Sequence, residues 1–379
     1  MFNINNFSVH VGGHDIGSIT TSMSFFESIH GDINGMIHVM DNVNFFDTFL
    51  DVNMMAVEIS YEYIGKNVTH TFYANGVTDQ QIRKSGKEYN IHLVSLTHWA
   101  QSIKRICNSY TGTSTDILEN LWKETHGPEL KLIIESEASS KGKYLVPNMI
   151  AKTCIRNVVN SAFDENNTGM FLYQRLTDQG ITRMTSLHDM VANNVLLDNE
   201  GNIFKIHNSY TDMESALEPV NTIGSSDQFE LKSYNDHYVT KLGQGLWGQR
   251  ITQVSLDQTT NNLLDAPELT DIEMTNFKIS DTLYDSETSL FNSPSRANDT
   301  IIQNTKHRVF NTLLKVENVI PVPNLGCGMA VDVEQGGGNL SRTKSDGIYL
   351  VSSINHRYVM NDGEWDYKQN LSLVREGAS

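Results

Sequence analysis

The sequence predicts a mainly β protein with a mixed α+β insert, in which two similar antiparallel β domains flank the insert. Four observations carry this. Apolar and polar residues alternate at period two over the first hundred residues, the period becomes 3.6 near residue 97, and alternation returns from about Asp227. A stretch near the start of the chain also resembles one near its end.

The first domain is read as five strands: Ile19 to Phe25, Gly35 to Met40, Val57 to Tyr63, Thr69 to Val77 and Tyr89 to Leu96. Polar turns at Gly31 to Asn34, Gly65 to Asn67 and Lys84 to Lys87 separate them, and short strands at this spacing suggest a barrel or a sandwich. Next, Ser114 or Thr115 caps an expected helix whose stripe is Ile117, Leu118, Leu121 and Trp122, ended by Gly127-Pro128. A second helix starts at Met149, with Ile150, Cys154, Val158 and Ala162 on one side, joined by Ile155, Val159 and Phe163. Short strands at Gly169 to Leu176, Ile181 to Met184 and Ile203 to His207, with a small helix around Leu187 to Val191, complete the insert.

After a β segment from Asp227, residues 257–300 are the least periodic part and read as an extended, irregular connection. The chain closes on strands at Leu313 to Val319, Met329 to Val333, Gly347 to Ile354, His356 to Val359 and Tyr367 to Val374. The expected organisation is therefore a β domain at 1–104, completed by part of 225–256, a mixed insert at 105–224, a β segment at 225–256, an irregular connection at 257–306 and a second β domain at 307–379.

Residues 69–96 and 346–374 share a pattern of strand, polar step, strand, glycine turn and strand. Tyr73, Val77, Ile82 and Gly86 fall opposite Leu350, Ile354, Val359 and Gly363 at an offset of 277, and Tyr89 and Leu93 fall opposite Tyr367 and Leu371 at 278.

Charge excludes one class of function. The 379 residues carry 28 Lys and Arg against 45 Asp and Glu, a net −17, whereas nucleic-acid affinity rests on cationic neutralisation of phosphates. Cys107, Cys154 and Cys327 form no CxxC pair and are read as reduced, buried thiols. The start has neither a basic nor an apolar leader region and no run of 18 apolar residues occurs, so synthesis in a cytoplasm without a membrane span is expected.

Chemical motifs read as structural. Gly243, Gly245 and Gly248 spell GxGxxG, but an alternating RITQVSLD follows rather than a helix, which points to a β-turn or bulge. His10 and His14 are close in sequence, yet Gly12-Gly13 break the helix that i, i+4 chelation needs; His30 and His38 lie in different local contexts, and His70 and His92 sit in strands without a third ligand nearby. Nucleophile elbows, HExxH and Walker A sequences do not occur, and the Gly336 to Gly338 run joins two strands. Glu27 with Asp32, and Asp362 with Glu364 and Asp366, are the carboxylate sets that glycoside hydrolysis would need, and read as solvated turns. No catalytic, cofactor or metal residue is assigned.

The stretch FFESIHGDINGMIHVMDNVNFFDTFLD, at 25–51, resembles the opening of the baseplate hub proteins of contractile-tailed, T-even-like bacteriophages, with Ser28, Gly31, Gly35, Met36, Asp41 and Asn44 at the matching positions. The C-terminal run GIYLVSSINHRY to YKQNLSLVREG is similar to the closing hairpin of the second tube domain of such hubs. The resemblance implies two β-barrel, tube-like domains per chain, hence six around a channel in a homotrimer. It also implies a structural role without chemistry of its own, a place in the virion tail baseplate, and contacts with a tail spike protein, tube or tube-initiator proteins and wedge proteins. DNA would pass the channel without specific binding. Two other classes remain: a carbohydrate- or receptor-binding tail protein, using Trp247 and Trp365 with Tyr358 and Tyr367 as an aromatic platform, and a tail-associated cell-wall hydrolase.

Overall fold

The computed structural model describes residues 4–49, 55–84, 86–138, 141–164, 169–209, 222–233, 249–255, 261–265, 278–284, 312–335 and 345–375. The protein is mainly β, as the alternation predicts. Its first part holds β1 (Asn5–Val11), β2 (His14–Asp15), β3 (Thr20–Ser28), β4 (Gly31–Asp41), the short helix α1 (Phe45–Phe49), β5 (Ala56–Tyr63), β6 (Lys66–Arg83) and β7 (Gly86–Val94). These strands run in the order β3-β4-β7-β6-β5-β1, all antiparallel, and alternate residues such as Phe25, Ile37, Ile59, Phe72 and Ile91 form one core.

The β3–β4 turn sits earlier than Gly31 to Asn34. Ser28 already pairs with Gly31, leaving Ile29 and His30 as the turn. Ile33 is buried while Asn34 is exposed, so the polar letters of this stretch mark the outer face of a strand and not a loop.

The insert contains α2 (Leu96–Ile103), β8 (Arg105–Thr113), α3 (Ser114–Thr125), β9 (Lys131–Ile134), β10 (Lys141–Ile150), α4 (Ala151–Asn160), β11 (Met170–Gln174), β12 (Ile181–Ser186) and α5 (Leu187–Ala192). Helix α3 is capped by Thr113 and not by Ser114 or Thr115 as expected, because only from Thr113 does Asp116 fall at the third helical position. The Thr113 hydroxyl accepts from Asp116 N–H at 3.1 Å and the Asp116 carboxylate accepts from Thr113 N–H at 2.9 Å. Ile117, Leu118, Leu121 and Trp122 are buried as expected, and in α4 so are Cys154, Ile155, Val158 and Val159. Ile150 ends β10 instead of joining that stripe and is exposed. Cys107 is also exposed, since it follows inward-facing Ile106 on β8 and so points outward.

Beyond the insert lie β13 (Lys205–Asn208), β14 (Ser225–Ser226), β15 (Gln228–Ser233), β16 (Gln249–Ser255), β17 (Asn261–Asp265), β18 (Lys278–Tyr284), β19 (Thr312–Val319), β20 (Ala330–Glu334), β21 (Gly347–Asn361) and β22 (Glu364–Arg375). Strands β17 and β18 fall within the expected irregular connection. They flank β16 in a separate three-stranded sheet, antiparallel and parallel respectively, so backbone partners supply what local periodicity lacks. β15 pairs with β19, and β19 with β22.

The hairpin of β21 and β22 runs through both β regions. Ala330 to Val333 of β20 pair with Gly347 to Leu350 of β21, whereas Ser353 to Val359 further along the same strand pair with Ser22 to Ser28 of β3. The first β region is thus extended by the C-terminal hairpin. Its far edge returns to that hairpin at one point, where Ile4 bridges Trp365 and Phe7 lies on the Trp365 ring at 4.0 Å between centroids. The expected barrel closure is therefore a single bridge, and among the described residues no continuous ladder closes a barrel. No helix among them is long and apolar enough to cross a membrane.

Candidate functional site

The six signature positions do not converge. They take up separate tasks along the β3–β4 hairpin, whose second strand is about 35 Å long at ~3.3 Å per residue. At one end, Ser28 accepts the N–H of His30 at 3.2 Å through its hydroxyl and pairs with Gly31 across the turn. In the middle, Gly35 lies under Phe25, where an added Cβ would stand 2.6 Å from the ring and 3.0 Å from the Ser24 carbonyl. That ring is stacked on Phe72 at 5.0 Å. Met36 is half-buried and pairs with Ser24 and His92.

At the other end, the Asp41 carboxylate accepts backbone N–H groups from Val43 (3.1 Å), Phe45 (2.9 Å) and Phe46 (2.8 Å), which seats α1. Burial pushes the Asp41 carboxyl up, but these three donors outweigh it and hold the group below its ordinary value. Asn44 sits at φ 60°, a left-handed conformation that asparagine tolerates.

What the structure does bring together is a lock where the first β region, the insert and the second β region meet. Glu27 is fully buried. Its carboxylate accepts Leu176 N–H at 2.5 Å from the insert and Cys327 N–H at 2.9 Å from the loop before β20. The expected pairing of Glu27 with Asp32 in a solvated turn fails, because inward alternation on β3 sends Glu27 into the core. Asp32 faces His98 at 3.4 Å and Lys152 at 3.8 Å instead. Arg175 donates from Nε to the Cys327 carbonyl at 3.0 Å, and Tyr63 donates to the Pro321 carbonyl at 3.0 Å.

Beside Glu27 stands a buried aromatic cluster. Tyr61 and Tyr358 share a hydrogen bond of 2.8 Å, Tyr61 and His70 one of 3.1 Å, and His356 and Tyr367 one of 2.8 Å. Tyr358 and Tyr367 stack at 4.4 Å. Burial pushes the Tyr61 phenol up to about 12 and the His70 imidazole down to about 3, with nearby His356 adding to the latter, so both side chains are neutral at pH 7. Trp365, Tyr358 and Tyr367 are therefore core residues and do not form an exposed platform. A cavity of about 650 Å³ opens next to the cluster, bounded by residues such as Tyr63, His70, Leu176, Val322 and His356. Chemically, this arrangement fixes three chain segments against one another.

Neither Glu27 nor the Tyr61–Tyr358 bond has a sequence signal beyond strand alternation. The histidines are dispersed: His10 pairs with Asp15 across β1–β2, His38 contacts Asn90 and Glu88, and His92 contacts Thr78. Among the described residues, no three His, Cys, Asp or Glu side chains converge as a metal ion would require. Trp247, the GxGxxG glycines and the Gly336 to Gly338 run lie outside the described residues.

The arrangement of strands, insert and shared hairpin defines a class: the protein has the fold of tail proteins. The tail protein from Neisseria meningitidis MC58 superposes with a TM-score of 0.58 at 12% identity over 100% of this chain and 98% of that one. The 43 kDa tail protein of prophage MuSo2 from Shewanella oneidensis gives 0.57 at 11% identity over 99% of both chains. A chain of the half-lidded Francisella PdpA-VgrG complex gives 0.54 at 9% identity, over 99% of this chain and 58% of that one. No family model and no curated protein matches the sequence. The resemblance to tail proteins seen in residues 25–51 thus extends, as fold, to the whole chain.

Proposed function

We propose that the chain is the structural hub of a phage tail baseplate, a homotrimer whose six similar β units form a pseudo-sixfold ring between a central spike and the tail tube. One observation carries this reading. In β6, Asn75 is an extra residue between Ala74, which pairs with Leu93, and Gly76, which pairs with His92. In β21, Ser352 is an extra residue between Val351, which pairs with Leu373, and Ser353, which pairs with Ser372. The two bulges lie 277 residues apart, the offset that relates the two sequence stretches.

On one side the neighbouring strands follow suit, while on the other β22 stands two residues off the 278 offset, Val351 pairing with Leu373 and not with Leu371. Ala56 of β5 pairs with Tyr73, and Ala330 of β20 with Leu350, the residue opposite Tyr73 at that offset. Two related units per chain make six in a trimer, which adapts threefold to sixfold symmetry.

In this reading the first unit is built on 1–104 and the second on 307–379, and Ser28, Gly31, Gly35, Met36, Asp41 and Asn44 serve structure. The protein belongs to the virion tail, carries no reaction of its own, and meets a spike, the tube or its initiator, and wedge proteins. Similarity to a chain of a PdpA-VgrG complex supports a spike-side contact. A net charge of −17 per chain repels DNA from the channel wall, so that DNA passes without specific binding. Light scattering and electron microscopy test the reading: a particle of three chain masses seen as a ring is expected. A monomer at tens of micromolar with no ring overturns it.

A further inference from the structure

Where α4 crosses the β3–β4 turn, a pocket of about 270 Å³ opens between the first β region and the insert. Its walls include Ile29 and Asp32 of the turn region, Lys152 and Arg156 of α4, Gln101 of α2 and Phe171 of β11. Three groups in it have hydrogen-bonding capacity to spare. Gln101 is 3% exposed, and its Nε2 amide has no hydrogen-bond partner, an arrangement folded proteins rarely keep. Arg156 has no hydrogen-bond or ion-pair partner among the described residues. Lys152 Nζ is 3.0 Å from His98 Nδ1 and only loosely paired with Asp32, at 3.8 Å.

Two basic side chains, Lys152 and Arg156, thus face one carboxylate, a local positive excess in a chain whose overall balance is 28 basic to 45 acidic residues. One further negative charge would neutralise the pocket. His30 also borders it, with its ring 5.6 Å from Phe171. A volume of about 270 Å³ is below the range of about 300–1,000 Å³ usual for pockets that enclose a drug-sized ligand, and suits a single inserted side chain.

We propose that this pocket is a receptor for one carboxylate, presented by an acidic side chain of a protein partner. The Arg156 guanidinium offers the forked pair of donors that a carboxylate accepts, the Gln101 amide supplies a third, and Lys152 contributes charge. Asp32, on the same wall, disfavours a second negative charge, so a dianion such as phosphate is selected against. Ile155 and Val159 on the same side of α4 give the pocket an apolar wall, which strengthens the charged contacts by excluding water. The inference does not depend on the hub reading, since it concerns any partner that offers an Asp or Glu here.

Methyl NMR of the full chain tests it directly, because Ile29, Ile155, Val159 and Leu172 line the pocket. N-acetylglutamate amide, with its side-chain carboxylate free, should shift these methyl signals saturably, and the neutral N-acetylglutamine amide should bind at least tenfold more weakly. Arg156→Ala, at an exposed position, should weaken the acid at least fivefold while leaving the spectrum of the free protein folded. Equal binding of the neutral analogue, no saturable shift, or unchanged affinity in Arg156→Ala overturns the proposal. Acetate binding as tightly as the blocked amino acid would also overturn it, by showing that the occupant is a free small anion.

Discussion

Glu27 accepts the backbone N–H of Cys327 at 2.9 Å across 300 residues of sequence, and its other carboxylate oxygen accepts Leu176 N–H at 2.5 Å. One fully buried side chain therefore ties together three parts of the chain, beside an apolar cluster in which Ile29, Phe171, Tyr173, Cys327 and Leu350 from the same three parts also meet. A carboxylate suits this place because both backbone neighbours are donors.

Replacing Glu27 by Gln keeps the shape and reverses the polarity of one contact, because the amide NH2 then faces a backbone N–H. The buried donor left without an acceptor costs about 1–3 kcal/mol, more where charge-assisted bonds are lost. Denaturant unfolding of Glu27→Gln should show a loss on the order of 2–4 kcal/mol. A loss under about 0.5 kcal/mol, the range of an ordinary surface change, would mean that the junction relaxes around the amide.

Gly35 and Gly31 make a matched comparison on one strand. A Cβ at Gly35 meets the Phe25 ring at 2.6 Å, and that ring is held by Phe72 and Tyr358. A Cβ at Gly31 meets nothing within 4 Å. Gly35→Ala should destabilise the protein by about 1–3 kcal/mol through overpacking, whereas Gly31→Ala should stay within about 0.5 kcal/mol of the parent. Thermal melts of the two variants, run side by side, decide it: equal melting temperatures would show that the Phe25 ring is free to move.

The same residues show how much the sequence made legible. Ile37, Ile59 and Ile91 could be placed in the core because period two is a local signal, and the capped helix over Ser114–Thr125 because a capping box is local too. The bulge at Ser352 is invisible as such, since an extra residue in a ladder looks like a polar break, and the two strands expected at 347–354 and 356–359 are one strand, β21. Glu27 was legible only as a carboxylate: what buries it are Leu176 and Cys327, and nothing in residues 20–28 encodes partners that far away. Of the pocket beside α4, Lys152 and Arg156 are readable as the polar side of a helix, but Gln101 and Asp32 join them only through folding.

The three thiols should separate by reactivity. Cys107 is exposed on the outer face of β8, while Cys154 and Cys327 are buried and burial raises both of their pKa values, Cys327 well above the ordinary range. A thiol-reactive disulfide reagent at pH 8 should titrate one cysteine rapidly in the native protein and all three only after denaturation. Cys107→Ser should abolish the fast phase. A second fast thiol that persists in Cys154→Ser would contradict the burial of the Cys327 loop, and with it the seat of Glu27.

His70 sets the acid limit of the aromatic cluster. Burial depresses its folded-state pKa to about 3, against roughly 6.5 in the unfolded chain, so between those values the unfolded state binds a proton that the folded state refuses. Stability then rises with pH across this window: the contribution is complete above about pH 6.5 and is lost as pH falls toward about 3, with a slope of at most ~1.4 kcal/mol per pH unit. Urea unfolding at pH 7, 6, 5 and 4 should show this decline. In His70→Gln, which can still bond to Tyr61, the slope between pH 6 and 4 should shrink by close to one proton. Asp41 contributes in the same direction but lower, since its depressed carboxyl pKa matters only as pH falls through the ordinary carboxylate range. Parallel profiles for the parent and His70→Gln between pH 6 and 4 would show that the imidazole is protonated within the fold, and that the Tyr61–His70–Tyr358 cluster admits a charge.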